Sequence, residues 1–246
     1  MTPDELMSRS ATPLSSPAWP PGPFVSYGVD SLDIVYRSDP EALRRLVPEP
    51  LAVAEPLVRF SVTRMPDTTG LGDHAAAGQA VAVELGGERG YYLESMYLDS
   101  FPALALGRET AGFPKKPGCP RLYHDSDTLV GTLDYGSLRI AVATMGYKHA
   151  PLDLDAAEAE VRTPTFMVKM DRGHDGTLTG CRLVRLPVQD VTVTGAWSGP
   201  ARLQLSAHAM APIADLPVRE VVAARHLAFT GMRYGKAEVA HDYLTP

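Results

Sequence analysis

Two adjacent lysines, Lys115 and Lys116, lie between Pro114 and Pro117, with Phe113 just before them. The chain has only five lysines, at 115, 116, 148, 169 and 236, so an adjacent pair asks for an explanation. A Lys-Lys pair in a turn rich in proline and glycine is ordinarily an exposed, solvated corner. The chemical alternative is nucleophilic, because a neutral lysine amine adds to a ketone carbon whereas an ammonium cannot. At the ordinary pKa only about one lysine in several thousand is neutral at pH 7. Desolvation in an apolar pocket or a neighbouring cation can lower that pKa by roughly 3 to 5 units. The local sequence offers both means: Phe113 is an apolar wall, Lys116 a second cation, and the two prolines restrict the backbone that carries them.

Other chemistry is poorly signalled. The two cysteines, Cys119 and Cys181, form no CxxC pair, and the seven histidines, His74, His208 and His226 among them, show no HxH or HxxxH spacing, so no zinc site is indicated. Gly70-Leu71-Gly72 lacks the third glycine of a dinucleotide fingerprint and reads as a turn. Asp134, Ser137 and Asp190 suggest no catalytic triad.

The elements that must carry the lysine pair read as mainly β. Asp39-Pro40-Glu41 supplies an N-cap, an N1 proline and a first-turn acid, and Leu43, Leu46 and Val47 follow at helical spacing up to Pro48. A second helix is expected over 153–161, capped by Asp153 or Asp155 and closed before Pro164. Residues 129–134 and 138–145 flank Tyr135-Gly136-Ser137 as a β-hairpin. Further strands are expected at 57–63, 79–85, 91–98, 182–193, 201–207, 218–230 and 237–244. Residues 11–24 hold five prolines, so this arm should be extended and pinned to the body by Trp19 and Phe24.

The 246 residues suffice for one large core, and no composition break divides them, so a single domain over 1–246 is expected. A formal charge of −6 without any Lys/Arg cluster larger than two excludes an electrostatic nucleic-acid footprint. The N-terminus carries Asp4 and Glu5 rather than a basic start and an apolar run, and no stretch approaches the roughly 20 apolar residues of a membrane span. A cytoplasmic protein with no membrane partner is therefore expected.

The run Gly107-Arg108-Glu109 followed by Gly112-Phe113-Pro114-Lys115-Lys116 resembles the imine-forming segment of the acetoacetate decarboxylase family. The likeness continues through TPLSSPAWPPGP, DIVYRSDPEALRRLVPEPL, EPLVRF, DTTGLG, DSDTLVGTLDYGSLRIAVATMGYKH, VTVTGAWSGPARLQL, HAMAP and the closing DYL, in the family's order and spacing. The resemblance implies an α+β, mainly β fold, an antiparallel cone-like β-barrel with flanking sheet and a few short helices. It also implies a large homo-oligomer, no metal, no cofactor, and a small keto acid as substrate. Lys115 would form the Schiff base and Lys116 would be its neighbouring cation, turned away and held by Ser16 and a backbone group at Met210. Phe113, Tyr27 and Tyr97 would support the pocket.

The resemblance also implies an arginine and two glutamates around the reacting carbon, and these positions hold Val29, Ser61 and Ala76. Other groups, such as Tyr27, Glu84, Glu94 or Arg108, could replace them, although Glu84 and Glu94 read first as solvated strand residues. Three functions stay open. The first is decarboxylation of a β-keto acid, acetoacetate being the family default. The second is a Schiff-base aldolase, dehydratase or cyclase, served by a more apolar pocket suited to a larger or less acidic carbonyl substrate. The third is a silent binding protein.

Overall fold

A computed structural model describes residues 1–245. It opens with a short helix α1 (Pro3–Met7), then β1 (Ser26–Tyr27), β2 (Val29–Arg37) and α2 (Pro40–Leu46). The long strands β3 (Leu57–Thr68), β4 (Gly72–Leu85) and β5 (Glu88–Leu98) lead into α3 (Phe101–Ala111) and β6 (Lys115–Pro117). Next come β7 (Cys119–Asp125), β8 (Thr128–Tyr135), β9 (Leu138–Gly146), β10 (Ala150–Pro151) and α4 (Leu154–Val161). The chain closes with β11 (Thr165–Arg172), β12 (Leu178–Leu186), β13 (Val188–Ser198), β14 (Ala201–Leu205), β15 (Glu220–Tyr234) and β16 (Glu238–Asp242).

Twelve strands form one sheet, whose path runs β10-β13-β15-β1-β3-β4-β5-β11-β12-β16, with β2 bridging β15 and β3 and β6 beside β5. The other four, β14-β9-β8-β7, make an antiparallel sheet packed on it. Pairing is antiparallel throughout except at β5, which takes both β6 and β11 in parallel. The expected antiparallel barrel and flanking sheet hold apart from these two pairings, and the exception concerns the lysine pair directly. Its strand returns to the sheet through α3, the kind of crossover that parallel neighbours require.

Strand alternation sorts the side chains. On β3, Val58, Phe60 and Val62 are fully buried and join Leu32, Ile34, Tyr36, Leu129, Leu133, Ile140 and Met145 in the core between the two sheets. Each contributes on the order of 1.5 to 3 kcal/mol by leaving water. Arg59, Ser61, Thr63 and Met65 point to the other face, toward an internal cavity.

The two expected helices form, with Asp39 accepting from the N–H groups of Glu41 and Ala42, and Asp153 from that of Ala156. The hairpin turns at Gly136 with φ 60°. Three expectations are corrected. The span 182–193 is two strands, because Pro187, which has no N–H to give a ladder, separates β12 from β13. Strands β7 and β11 were not anticipated, and neither was α3. The arm 11–24 turns rather than extends, with Ser16 N–H donating to Pro13 and Ala18 N–H to Thr12. It does pack on the body, where the Trp19 indole donates to Glu109 of α3 at 2.8 Å.

Candidate active site

Helix α3 positions Lys115. Ser100 caps it, its Oγ accepting from Ala103 N–H, and Pro102 sits in the first turn. Gly112 ends it at φ 78°, a left-handed conformation that costs glycine little. The chain then reverses, Phe113 N–H bonding back to the Gly107 carbonyl, and β6 pairs with β5 so that Lys115 lies opposite Met96. Ala103, Gly107 and Ala111, four residues apart, present one face of α3 to the lysine. A Cβ at Gly107 would lie 2.5 Å from Lys115 Nζ, so only glycine leaves room for the amine. Arg108 Nη1 donates to the Lys115 carbonyl at 3.0 Å and ties the strand to the helix.

The Lys115 amine donates to the Ala103 carbonyl at 2.7 Å and lies 4.6 Å from the Phe113 ring centroid. It opens on a cavity of about 460 Å³ walled by Trp19, Phe24, Met96, Leu106, Phe113 and Met232. Burial lowers its pKa to about 8. About one amine in ten is then neutral at pH 7, a gain of some two orders of magnitude over a free lysine.

Lys116, next in the strand, points to the opposite face. Its ammonium is held by the Met210 carbonyl and faces the Tyr135 ring at 5.2 Å. Burial is the cause of the lowered Lys115 pKa. One expectation changes here. Ser16 is exposed in the arm and does not share Lys116, which is held through Met210 instead.

The remaining expected residues divide. Phe113 lines the lysine cavity, and Ser61 and Ala76 line a second cavity of about 170 Å³ that shares Met65, Met96, Phe113, Met232 and Tyr234 with the first. Val29 is buried in the adjoining apolar cluster with Met65, Ala76 and Leu98. Tyr27 is 43% exposed on β1 and does not line the lysine cavity. Tyr97 is buried on the Lys116 side, edge-on to Tyr135, where it packs rather than lines. Glu94 is not a solvated strand residue. It is half-buried beside Gln79 and Asp215, and burial holds its carboxyl above the usual range, with Asp215 adding and Ser95 and Lys116 opposing.

Reading the sequence missed the Ala103 carbonyl, Gly107 and His74. The first two follow from α3, whose Ser100, Pro102 and Gly112 were available as start and stop signals. His74 had no local signal at all. It reaches the lysine cavity only because β4 runs past β5.

The acetoacetate decarboxylase family model matches residues 10–244. The chain belongs to the acetoacetate decarboxylase family. An acetoacetate decarboxylase of Streptomyces nogalater is 57% identical over 244 residues, 99% of this chain and 100% of that one. A solved acetoacetate decarboxylase structure superposes with a TM-score of 0.97 at 50% identity over the full length of both chains. Another, from Legionella pneumophila, gives 0.92 at 39% identity, covering 97% and 94%. The α+β, mainly β architecture of barrel and flanking sheet is thus that of the acetoacetate decarboxylases, and membership makes the chain a lyase. Among the described residues no helix is long and apolar enough to cross a membrane.

Proposed function

We propose that the protein decarboxylates a 3-oxo acid, with acetoacetate as the reference substrate, through a Schiff base at Lys115. The observation that carries this reading is the buried amine, lowered to about 8, at the floor of an apolar cavity. The neutral amine adds to the keto carbon, and loss of water leaves a protonated imine. The bond to the carboxylate then breaks, its electron pair moves toward the imine nitrogen, and carbon dioxide and an enamine result. Protonation of the enamine carbon and hydrolysis release the ketone and restore Lys115.

The cavity favours the bond-breaking step. A carboxylate and an iminium are both charged, whereas carbon dioxide and the enamine are neutral, so apolar walls favour the products over the bound acid. Arg233, the cavity's arginine, pairs with Asp190 at 2.6 Å, so a substrate carboxylate would have to compete with that partner for it. Lys116, held by Met210, shapes the strand from behind. Assembly into a homo-oligomer belongs to the same reading.

The uncharged Ser61 and Ala76 favour a second outcome, in which the same imine feeds aldol addition, dehydration or cyclisation. Borohydride trapping with acetoacetate, read by mass spectrometry, together with headspace carbon dioxide, separates the two. An adduct on Lys115 with gas release well above the uncatalysed rate is the expected result, and Lys115→Ala should lose both. An adduct without gas would shift the assignment to the second outcome. The absence of any adduct would overturn both.

A further inference from the structure

The two positions where the resemblance implies glutamates carry no titratable group, yet an imine decarboxylase must still deliver a proton to carbon. We infer that His74 is that proton-transfer group, acting through Nε2 on the enamine carbon of the Lys115 adduct. This rests on the imine reading above and adds a residue to it.

The geometry comes from strand alternation. His74, Ala76 and Ala80 share one face of β4, since side chains two apart point the same way. Ala76 and Ala80 line the second cavity, and His74 lines the lysine cavity itself. A titratable group thus returns two residues before Ala76, on the same wall. The ring is buried, 7% exposed, and its Nδ1 lies 3.2 Å from the Gly72 carbonyl. A carbonyl only accepts, so Nδ1 carries the proton and Nε2 of the neutral ring is the basic atom. Among the described residues lining this cavity, the other polar side chains offer no comparable proton relay: Arg233 is a cation with no acceptor and pairs with Asp190, and burial raises the Tyr234 phenol.

Charges from three sides bear on the ring. Burial lowers its pKa most, and the Lys115 ammonium lowers it further. The Gly72 hydrogen bond, Asp99 and Asp73 act in the opposite direction without cancelling the shift. The result is an imidazole that is mainly neutral at pH 7 and, once protonated, a ready acid.

The step balances with one proton from solvent, which is the reaction's net uptake. After carbon dioxide leaves, the protonated ring gives its Nε2 proton to the enamine carbon. The N–H bond breaks, the enamine carbon–carbon π pair forms the new C–H bond, and the nitrogen lone pair restores the C=N bond. The neutral ring can then accept a proton from the water that adds to the imine carbon.

The reverse step gives a test independent of decarboxylation. With saturating acetone in deuterium oxide, imine formation followed by removal of a methyl proton exchanges hydrogen for deuterium, which proton NMR follows, while borohydride trapping reports the imine alone. His74→Asn keeps the donor to Gly72 and His74→Gln removes it, so two differently built variants are compared with the parent. Both should still trap acetone on Lys115 while exchange falls about 100-fold or more, the usual size of a general acid–base contribution. The parent exchange profile should show an inflection below the ordinary imidazole range, which the variants lose. Trapping retained with parental exchange would overturn the role of His74 and leave the imine reading intact. Loss of trapping along with exchange in both variants would overturn it too, by making the histidine a determinant of pocket shape. A parent that traps nothing would remove the imine reading and this inference together.

Discussion

At the scale of the residue, the lowered Lys115 pKa is also a statement about stability. The folded value of about 8 lies below the unfolded value of about 10.4, so the folded state resists the proton that the unfolded chain binds readily. Between these values the unfolded chain holds more protons, and stability rises with pH. Below about 8 the full cost is present, roughly 3 kcal/mol for a shift of this size. Lys115→Met, which fills the same space without a charge, should therefore raise the thermal midpoint measurably at pH 7. The gain should shrink toward pH 10 as the parent's lysine deprotonates. Equal midpoints at pH 7 in a calorimetric scan would mean that the amine is not desolvated. That the lysine pair sits in a restrained, partly apolar setting was legible because the proline and phenylalanine around it are local signals. Its tuning was not: which of two adjacent side chains faces an apolar cavity depends on the parallel pairing of β6 with β5, and that pairing is a long-range fact.

At the scale of the element, α3 decides where the Lys115 amine sits. The expectation of few helices passed over it because its turns hold Ala103, Ala105, Gly107 and Ala111, small residues that give weak amphipathic contrast. That small face is what admits the lysine. Gly107→Ala separates the helix's own stability from its function. Alanine favours a helix interior over glycine by about 1 kcal/mol, but its Cβ would meet the end of the Lys115 side chain at 2.5 Å. The flexible amine yields more readily than backbone, so it should move off the Ala103 carbonyl while the fold persists. The expected outcome is a folded protein with an unchanged or slightly higher thermal midpoint and borohydride trapping reduced at least tenfold. Trapping at the parental rate would show that the helix face does not fix the amine's position. The shorter elements α2 and α4 were easier to foresee, since Asp39 and Asp153 announce them through capping chemistry confined to a few residues.

At the scale of the whole molecule, the twelve-stranded sheet, α3 and the N-terminal arm line more space than a four-carbon acid fills. The sequence indicated the direction, since Val29, Ser61 and Ala76 remove charge from the reacting region. It could not give the volume, because that depends on how far α3 and the N-terminal arm stand off the sheet. The lysine cavity of about 460 Å³ abuts a second of about 170 Å³ across Met65, Met96, Phe113 and Met232. Beyond them the second cavity ends at Arg59, which stacks on Tyr91 at 3.9 Å and meets Glu160 at 3.7 Å, so its charge is already engaged. An apolar extension on the substrate finds partners along this route, and a second carboxylate does not. Each methylene moved from water onto such walls is worth about 0.8 kcal/mol, or roughly fourfold in binding. A 3-oxo acid two or three methylenes longer than acetoacetate should therefore show a kcat/KM higher by roughly 15- to 60-fold, set mainly through KM. Ala76→Leu, which narrows the passage, should reduce that ratio more than it reduces turnover of acetoacetate. Steady-state carbon dioxide release across a homologous series of 3-oxo acids decides the matter. A kcat/KM that falls from acetoacetate onward would mean that the space near Lys115 is closed to the substrate in the working enzyme.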